Sequence, residues 1–118
     1  TGALSFEERT VAAVLIPRPR LAVLPAATTP AAVQEATART GFSRFPLAEA
    51  DGRLVGYLHV KDMLTGDPEA ADGPVPRAAV HRLASVRASD PLRVALATMQ
   101  ARGAHLARVA DADGRTIG

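Results

Sequence analysis

An α+β fold of two strand-helix-strand-strand-helix halves packed on each other is what this 118-residue sequence predicts. Three observations predict it. Gly41, Asp51-Gly52 and Gly56 recur as Gly103, Asp113-Gly114 and Gly118, all at an offset of 62 residues. In each copy the Asp-Gly pair sits between strand-like stretches, a strong signal for a hairpin turn. Each copy also follows a stretch with a proline at its start and a glycine at its end, the asymmetry of a helix. Two copies at so long a period make a tandem pair; a solenoid needs several shorter repeats.

Composition narrows the function. A chain of this length holds one core, or two small halves sharing one. Apolar residues are 47% and aromatics 3%, with no Trp, so Ala, Val, Leu and Ile fill the core and there is no set of exposed rings for stacking on single-stranded nucleic acid. The net charge is +2 and Lys61 is the single lysine among 14 basic residues, the arginines being scattered without a basic run. No nucleic-acid partner is expected. With no Cys there is neither a disulfide nor a thiolate, and with 3 His a metal site would lean on carboxylates. No resident metal and no required cofactor are expected. No apolar run approaches ~18 residues, and TGALSFEERT lacks a signal-peptide pattern, so the segment is expected to be soluble. No nucleophile elbow, phosphate loop or metal-ligand spacing is present, and no enzymatic activity is expected.

In chain order, Ser5 and Glu8 fit a capping box, and Arg9 to Ile16 is expected as a short helix stopped by Pro17. Leu21 to Leu24 reads as a short strand closed by Pro25. Thr28-Thr29-Pro30 offers a capping hydroxyl before a proline, with Val33, Ala36 and Thr40 on one face of the following helix and Gly41 as its left-handed cap. Phe45 and Leu47 alternate with small or polar neighbours in one strand, and Leu54 to Leu58 forms the other after the Asp51-Gly52 turn. His59 to Leu64 suits a short helix. Thr65 to Pro76 mixes Gly, Pro and acidic residues and reads as a connection only. Arg77 to Leu83 reads as a turn of helix before the strand Ala84 to Arg87. Asp90-Pro91 repeats the capped start, Leu92, Ala95, Leu96 and Met99 form an apolar stripe, and Gly103 ends that helix. Gly118 matches Gly56, after which the first copy still has strand and the HVKDML helix, so the second copy reads as cut short.

Two such copies, with hairpins GFSRFPLAEADGRLVG and GAHLARVADADGRTIG, resemble a tandem pair of CBS domains, a Bateman module. More narrowly, IPRPRLAVLP, GFSRFPL and VGYLHVKDML are similar to the CBS pair of the CorC and CNNM family, hemolysin-like membrane proteins linked to magnesium and cobalt efflux. The resemblance implies a linking helix over residues 1–17, a first motif over 18–66, a linker over 67–77 and a second motif over 78–118 that lacks its last strand and helix. It also implies a cytoplasmic domain of a membrane protein, following its own transmembrane domain, and a homodimer through the CBS helices.

In similar pairs the cleft between the halves binds an adenine nucleotide. A Ser or Thr at the start of the last helix takes phosphate, and an Asp three residues later takes the ribose hydroxyls. A free helix N-terminus suits phosphate, and a carboxylate accepts from both hydroxyls. In this sequence His59 and Asp62 hold those positions; His59 departs from the Ser/Thr pattern. Each candidate has two readings. Asp62 is a ribose ligand or a carboxylate stabilising its own helix start. His59 is a phosphate donor or a cap. Arg44, turned away from the core by alternation, is a polyphosphate ligand or an ordinary exposed arginine. Phe42 covers the adenine ring or joins the core. By the resemblance Ile16 and Pro17 lie beside the base, and Ser43 and its second-copy counterpart His105 complete the set. The implied function is a regulatory module that senses an adenine nucleotide, ATP with Mg²⁺ or AMP, and controls an attached ion transporter. The alternative is a ligand-free structural dimerisation module.

Overall fold

A computed structural model describes residues 8–64 and 68–118. In the first repeat, strand β1 (Leu24–Pro25) leads to helix α1 (Pro30–Thr40), then β2 (Arg44–Ala48), β3 (Leu54–His59) and the single-turn helix α2 (Val60–Met63). The second repeat has β4 (Ala84–Arg87), α3 (Leu92–Arg102) and β5 (Ala107–Ala110). Pairing is the same in both: β1 runs parallel to β2 across the α1 crossover, and β4 parallel to β5 across α3. The hairpin β2–β3 is antiparallel with an irregularity at Leu47/Ala48. Its turn closes by hydrogen bonds from Glu49 N to Arg53 O and from Gly52 N to Glu49 O, and the second copy repeats both 62 residues later, between Asp111, Arg115 and Gly114. Gly52, at φ 88°, has the left-handed conformation that turn demands.

The helix ends follow local chemistry. Thr29 Oγ1 accepts from Ala32 N at 3.2 Å, Pro30 takes the first helical position, and Gly41 at φ 78° ends α1. The start of α3 differs from expectation: Asp90 Oδ2 accepts from Arg87 N at 2.9 Å and gives the helix no side-chain cap. Leu92 N donates instead to the carbonyl of Arg9, as Ala31 N donates to that of Ala71 in the first repeat. A backbone strand from elsewhere in the chain satisfies the orphan donor that a cap would take.

These bonds disclose how the chain divides. One compact unit is Ala22–Arg82, and the other is Leu83–Gly118 joined by the stretch up to Leu21. Each repeat thus packs with the segment that leads into the other one. In the first unit Val33 and Ala36 of α1 meet Phe45, Leu47, Leu58 and Met63, all buried, with Val75, Ala79 and Val80 of the following segment against them. In the second, Val11 lies with Val86, Ala95 and Val109, and Leu15 and Ile117 pack beside them. Both hairpin glycines serve this arrangement. A Cβ on Gly56 would stand 2.6 Å from Val80 Cγ1 and 2.9 Å from the His81 carbonyl oxygen, and one on Gly118 would run into the Ile16 carbonyl and Leu15 Cδ1.

Several expected elements change under this packing. The helix over Arg9 to Ile16 is only a 3-10 turn, Val11–Ala13, because Thr10 bridges Pro91 and the backbone of Val11 and Ala12 bonds to Asp90 and Ala88. The capping box at Ser5 lies outside the described residues. The strand expected over Leu21 to Leu24 shrinks to Leu24–Pro25, preceded by a 3-10 turn at Arg18–Arg20. Pro25 is tolerated there because β1 is an edge strand. The stretch expected only to connect is fastened in its described part: Val75 N donates to Thr28 O, and Val75 enters the core. On α3 the apolar stripe buries Ala95 while Leu96 is left exposed. Met63 is buried, while Leu64 beside it is 66% exposed.

Candidate functional site

Alternation sorts the β2–β3 hairpin into two faces. Phe45 pairs with Leu58 and both are buried in the core, so Arg44 and Pro46 and their partners His59 and Tyr57 take the other face. Tyr57 also exchanges backbone hydrogen bonds with His81, N to O at 3.0 Å and back at 2.9 Å, which adds His81 to the edge of β3. The His81 ring stacks on the Tyr57 ring, with centroids 5.0 Å apart and planes 23° from parallel. His81 Nε2 then reaches Asp62 Oδ2 at 2.8 Å.

The chain turns into α2 at this same place. Val60 N donates to Ser43 O, and His59 Nδ1 accepts from Lys61 N at 3.0 Å, so His59 is the cap of α2. The neutral His59 ring therefore carries its proton on Nε2. Its role as cap has a cost for phosphate binding: the Lys61 N–H is engaged, and a helix of 4 residues has little dipole. What can meet a phosphate here is the Nε2–H of His59 and the guanidinium of Arg44, which has no ion-pair partner among the described residues.

Ser43, Arg44, His59 and Asp62 are thus brought together in the Ala22–Arg82 unit, at the end of the hairpin. Phe42 stands beside them and is 54% exposed, so it is not the core contact that one reading gave it. Asp62 stands in the first turn of α2, and His81 holds one of its oxygens. Ile16, Pro17 and His105 belong to the other unit, all of them exposed.

Sequence reasoning missed Tyr57 and His81. The signal for His81 lies in the fold and not in the 62-residue offset, which sets Ile16 against Ala78: Leu15 and Ile16 lie over Gly118 as Val80 and His81 lie over Gly56. Having placed Ile16 among the candidates, the same correspondence points to His81. Tyr57 had no such signal, because alternation cannot tell a buried tyrosine on the second face from a core residue.

The first unit also has a cavity of about 430 Å³ lined by Pro30, Gln34, Met63, Pro74 and Ala79, with Asp62 at its wall. Its size suits a small molecule. Among the described residues its walls carry no cation, and Arg44 and His59 are not among them. A concavity of about 620 Å³ in the second unit has Arg87 and Asp111 on its walls, but Asp111 Oδ1 is occupied by Asp113 N and Arg115 N of its own turn. Among the described residues no group of three His, Asp or Glu side chains is placed to hold a metal ion, and no helix is long and apolar enough to cross a membrane.

Residues 11–68 match the family model of the CBS domain, and the fold is that of CBS-domain structures. Residues 11–68 are thus a CBS domain. The chain is 38% identical, over 125 aligned positions and 100% of its length, to an uncharacterized protein of Mycobacterium tuberculosis, strain CDC 1551 / Oshkosh. The same figures hold for an uncharacterized protein of strain ATCC 25618 / H37Rv. The chain spans 35% of the length of these relatives. Among solved structures, the CBS domain of a bacterial CNNM/CorC family Mg²⁺ transporter in complex with ATP superposes with a TM-score of 0.86 at 23% identity, over 96% of this chain and 81% of that one. A hemolysin-like CBS-domain protein of Oenococcus oeni PSU gives 0.87 at 19%, over 96% and 84%. CBSX2 in complex with AMP gives 0.72 at 26%, over 92% and 87%.

Proposed function

We propose that this chain is a non-catalytic regulatory module that binds an adenine nucleotide and passes its binding state to an attached membrane transporter of the CorC/CNNM kind. The observation that carries the reading is the convergence of Arg44, His59 and Asp62 at one end of the β2–β3 hairpin. Cationic and neutral donors stand beside a carboxylate, the combination that phosphate and ribose require. Solved structures of this fold that hold ATP and AMP support the same ligand class. ATP is the favoured nucleotide, because Arg44 suits a polyphosphate, and Mg²⁺ would arrive with those phosphates. Regulation needs only a different affinity for two arrangements of the module. The module would then stand on the cytoplasmic side, where ATP is.

The test is isothermal titration of the chain with Mg-ATP, AMP and GTP. Saturable binding of the adenine nucleotides, with GTP weaker, is expected. A second reading, a ligand-free dimerisation module, draws on the exposed Leu64 and on the loss of a Ser or Thr at His59. No heat with any nucleotide, together with a dimer by light scattering, decides for it.

A further inference from the structure

The candidate ribose ligand Asp62 is held by the ring of His81, which lies outside both hairpins. The position of His81 is determined three times over. Gly56 leaves room for the backbone at Val80 and His81 to lie against β3, since a Cβ there would meet the His81 carbonyl oxygen at 2.9 Å. Two backbone hydrogen bonds to Tyr57 then set the register. The ring finally stacks on Tyr57, which is itself buried, and this directs Nε2 to Asp62 Oδ2 at 2.8 Å. The two side chains are 45% and 41% exposed, so the contact adds little stability. Its effect is orientation: Asp62 rides on a helix of one turn, and His81 ties its carboxylate to the body of the unit.

We propose that His81 is a positioning residue that aims the Asp62 carboxylate at the two ribose hydroxyls and so makes the module prefer ribonucleotides to their deoxy analogues. A carboxylate has about four acceptor sites, so a donor at one of them is chemically compatible with hydroxyl donors at others. A carboxylate already oriented by the protein loses less freedom when the ligand arrives, and that difference appears as affinity. The inference rests on the nucleotide reading above and adds to it a residue and a specificity.

The experiment is calorimetric titration of the full chain with Mg-ATP and with Mg-2′,3′-dideoxy-ATP. It uses the unaltered protein and the His81→Phe, His81→Ala and His81→Gln variants. Phe keeps a ring against Tyr57 and Ala does not, so either variant that melts cooperatively removes the donor from a folded protein; Gln keeps an N–H donor near the Nε2 position. The unaltered protein should favour ATP over the dideoxy analogue by about tenfold or more, the effect of hydrogen bonds to a charged group. In His81→Phe or His81→Ala that preference should fall below about threefold while dideoxy-ATP binds as before, and His81→Gln should restore most of it. An undiminished preference in the donorless variants overturns the proposal. So does tighter ATP binding in them, which would make His81 a competitor for Asp62. Equal binding of both nucleotides by the unaltered protein overturns it while leaving the nucleotide reading intact. Absence of binding by the unaltered protein overturns both.

Discussion

Arg44 and His59 are partners across β2 and β3, and their roles differ because their bonds differ. Arg44 is exposed with no ion-pair partner among the described residues. Its guanidinium is available to a polyphosphate at no cost in broken protein contacts. Replacing it with Ala should therefore weaken ATP by roughly 1 to 3 kcal/mol and leave adenosine nearly unchanged. Parallel titrations of the two ligands measure this, and equal losses for both remove Arg44 from the phosphate site. His59 is committed through Nδ1 to the Lys61 N–H. A His59→Ala change should then cost about 1 kcal/mol of stability as a lost cap, whether or not nucleotide is present. Urea unfolding of the two proteins checks it, and an unchanged midpoint would deny His59 the capping role.

At the scale of an element, the glycines of the first hairpin look alike in sequence and are needed for different reasons. Gly52 makes the turn with φ at 88° and has open space where a Cβ would go. Gly56 has Val80 Cγ1 and the His81 carbonyl in that space instead. Ala at Gly52 should cost about 1 kcal/mol, from left-handed strain alone. Ala at Gly56 should cost about 1–3 kcal/mol, because a backbone carbonyl must move, and should detach the segment carrying His81. Hydrogen exchange at the Tyr57 and His81 amides distinguishes the two: faster exchange is expected only in Gly56→Ala. Protection retained at both amides would mean that the segment is held by something other than this close approach.

For the whole molecule, ligand binding and self-association are the measurable states. A nucleotide that binds only the folded chain stabilises it by about 2.7 kcal/mol at a hundredfold excess over Kd. The corresponding rise in Tm is on the order of 10 °C for a chain of this size. Melting with Mg-ATP should show it and melting with Mg-GTP should not; the same Tm in all three conditions would remove the sensor reading. Association is expected to use what remains apolar outside, which excludes the buried Met63 and includes the 66% exposed Leu64. Light scattering should give twice the chain mass, with Leu64→Asp shifting the balance toward monomer. A monomer at high concentration argues against the homodimer.

Local chemistry was enough to read the repeat, the α1 cap at Thr29, the Asp-Gly turns and the glycine ends at Gly41 and Gly103. Those features are decided within a few residues of chain, by φ preferences, capping hydroxyls and alternation, and a sequence displays them directly. The burial of Phe45 and the outward turn of Arg44 were legible for the same reason. Tertiary structure alone decided which segment completes which repeat. The bonds from Val11 to Asp90 and from His81 to Tyr57 join residues far apart in sequence, and backbone groups carry no residue-specific signal of their partners. That exchange unmade the expected N-terminal helix, fastened the supposed connector and brought His81 to Asp62. It is also why a candidate site read from two neighbouring motifs omitted the histidine that holds its carboxylate: a hydrogen bond across 19 residues, and a ring stack across a still longer separation, depend on a fold that no local pattern encodes.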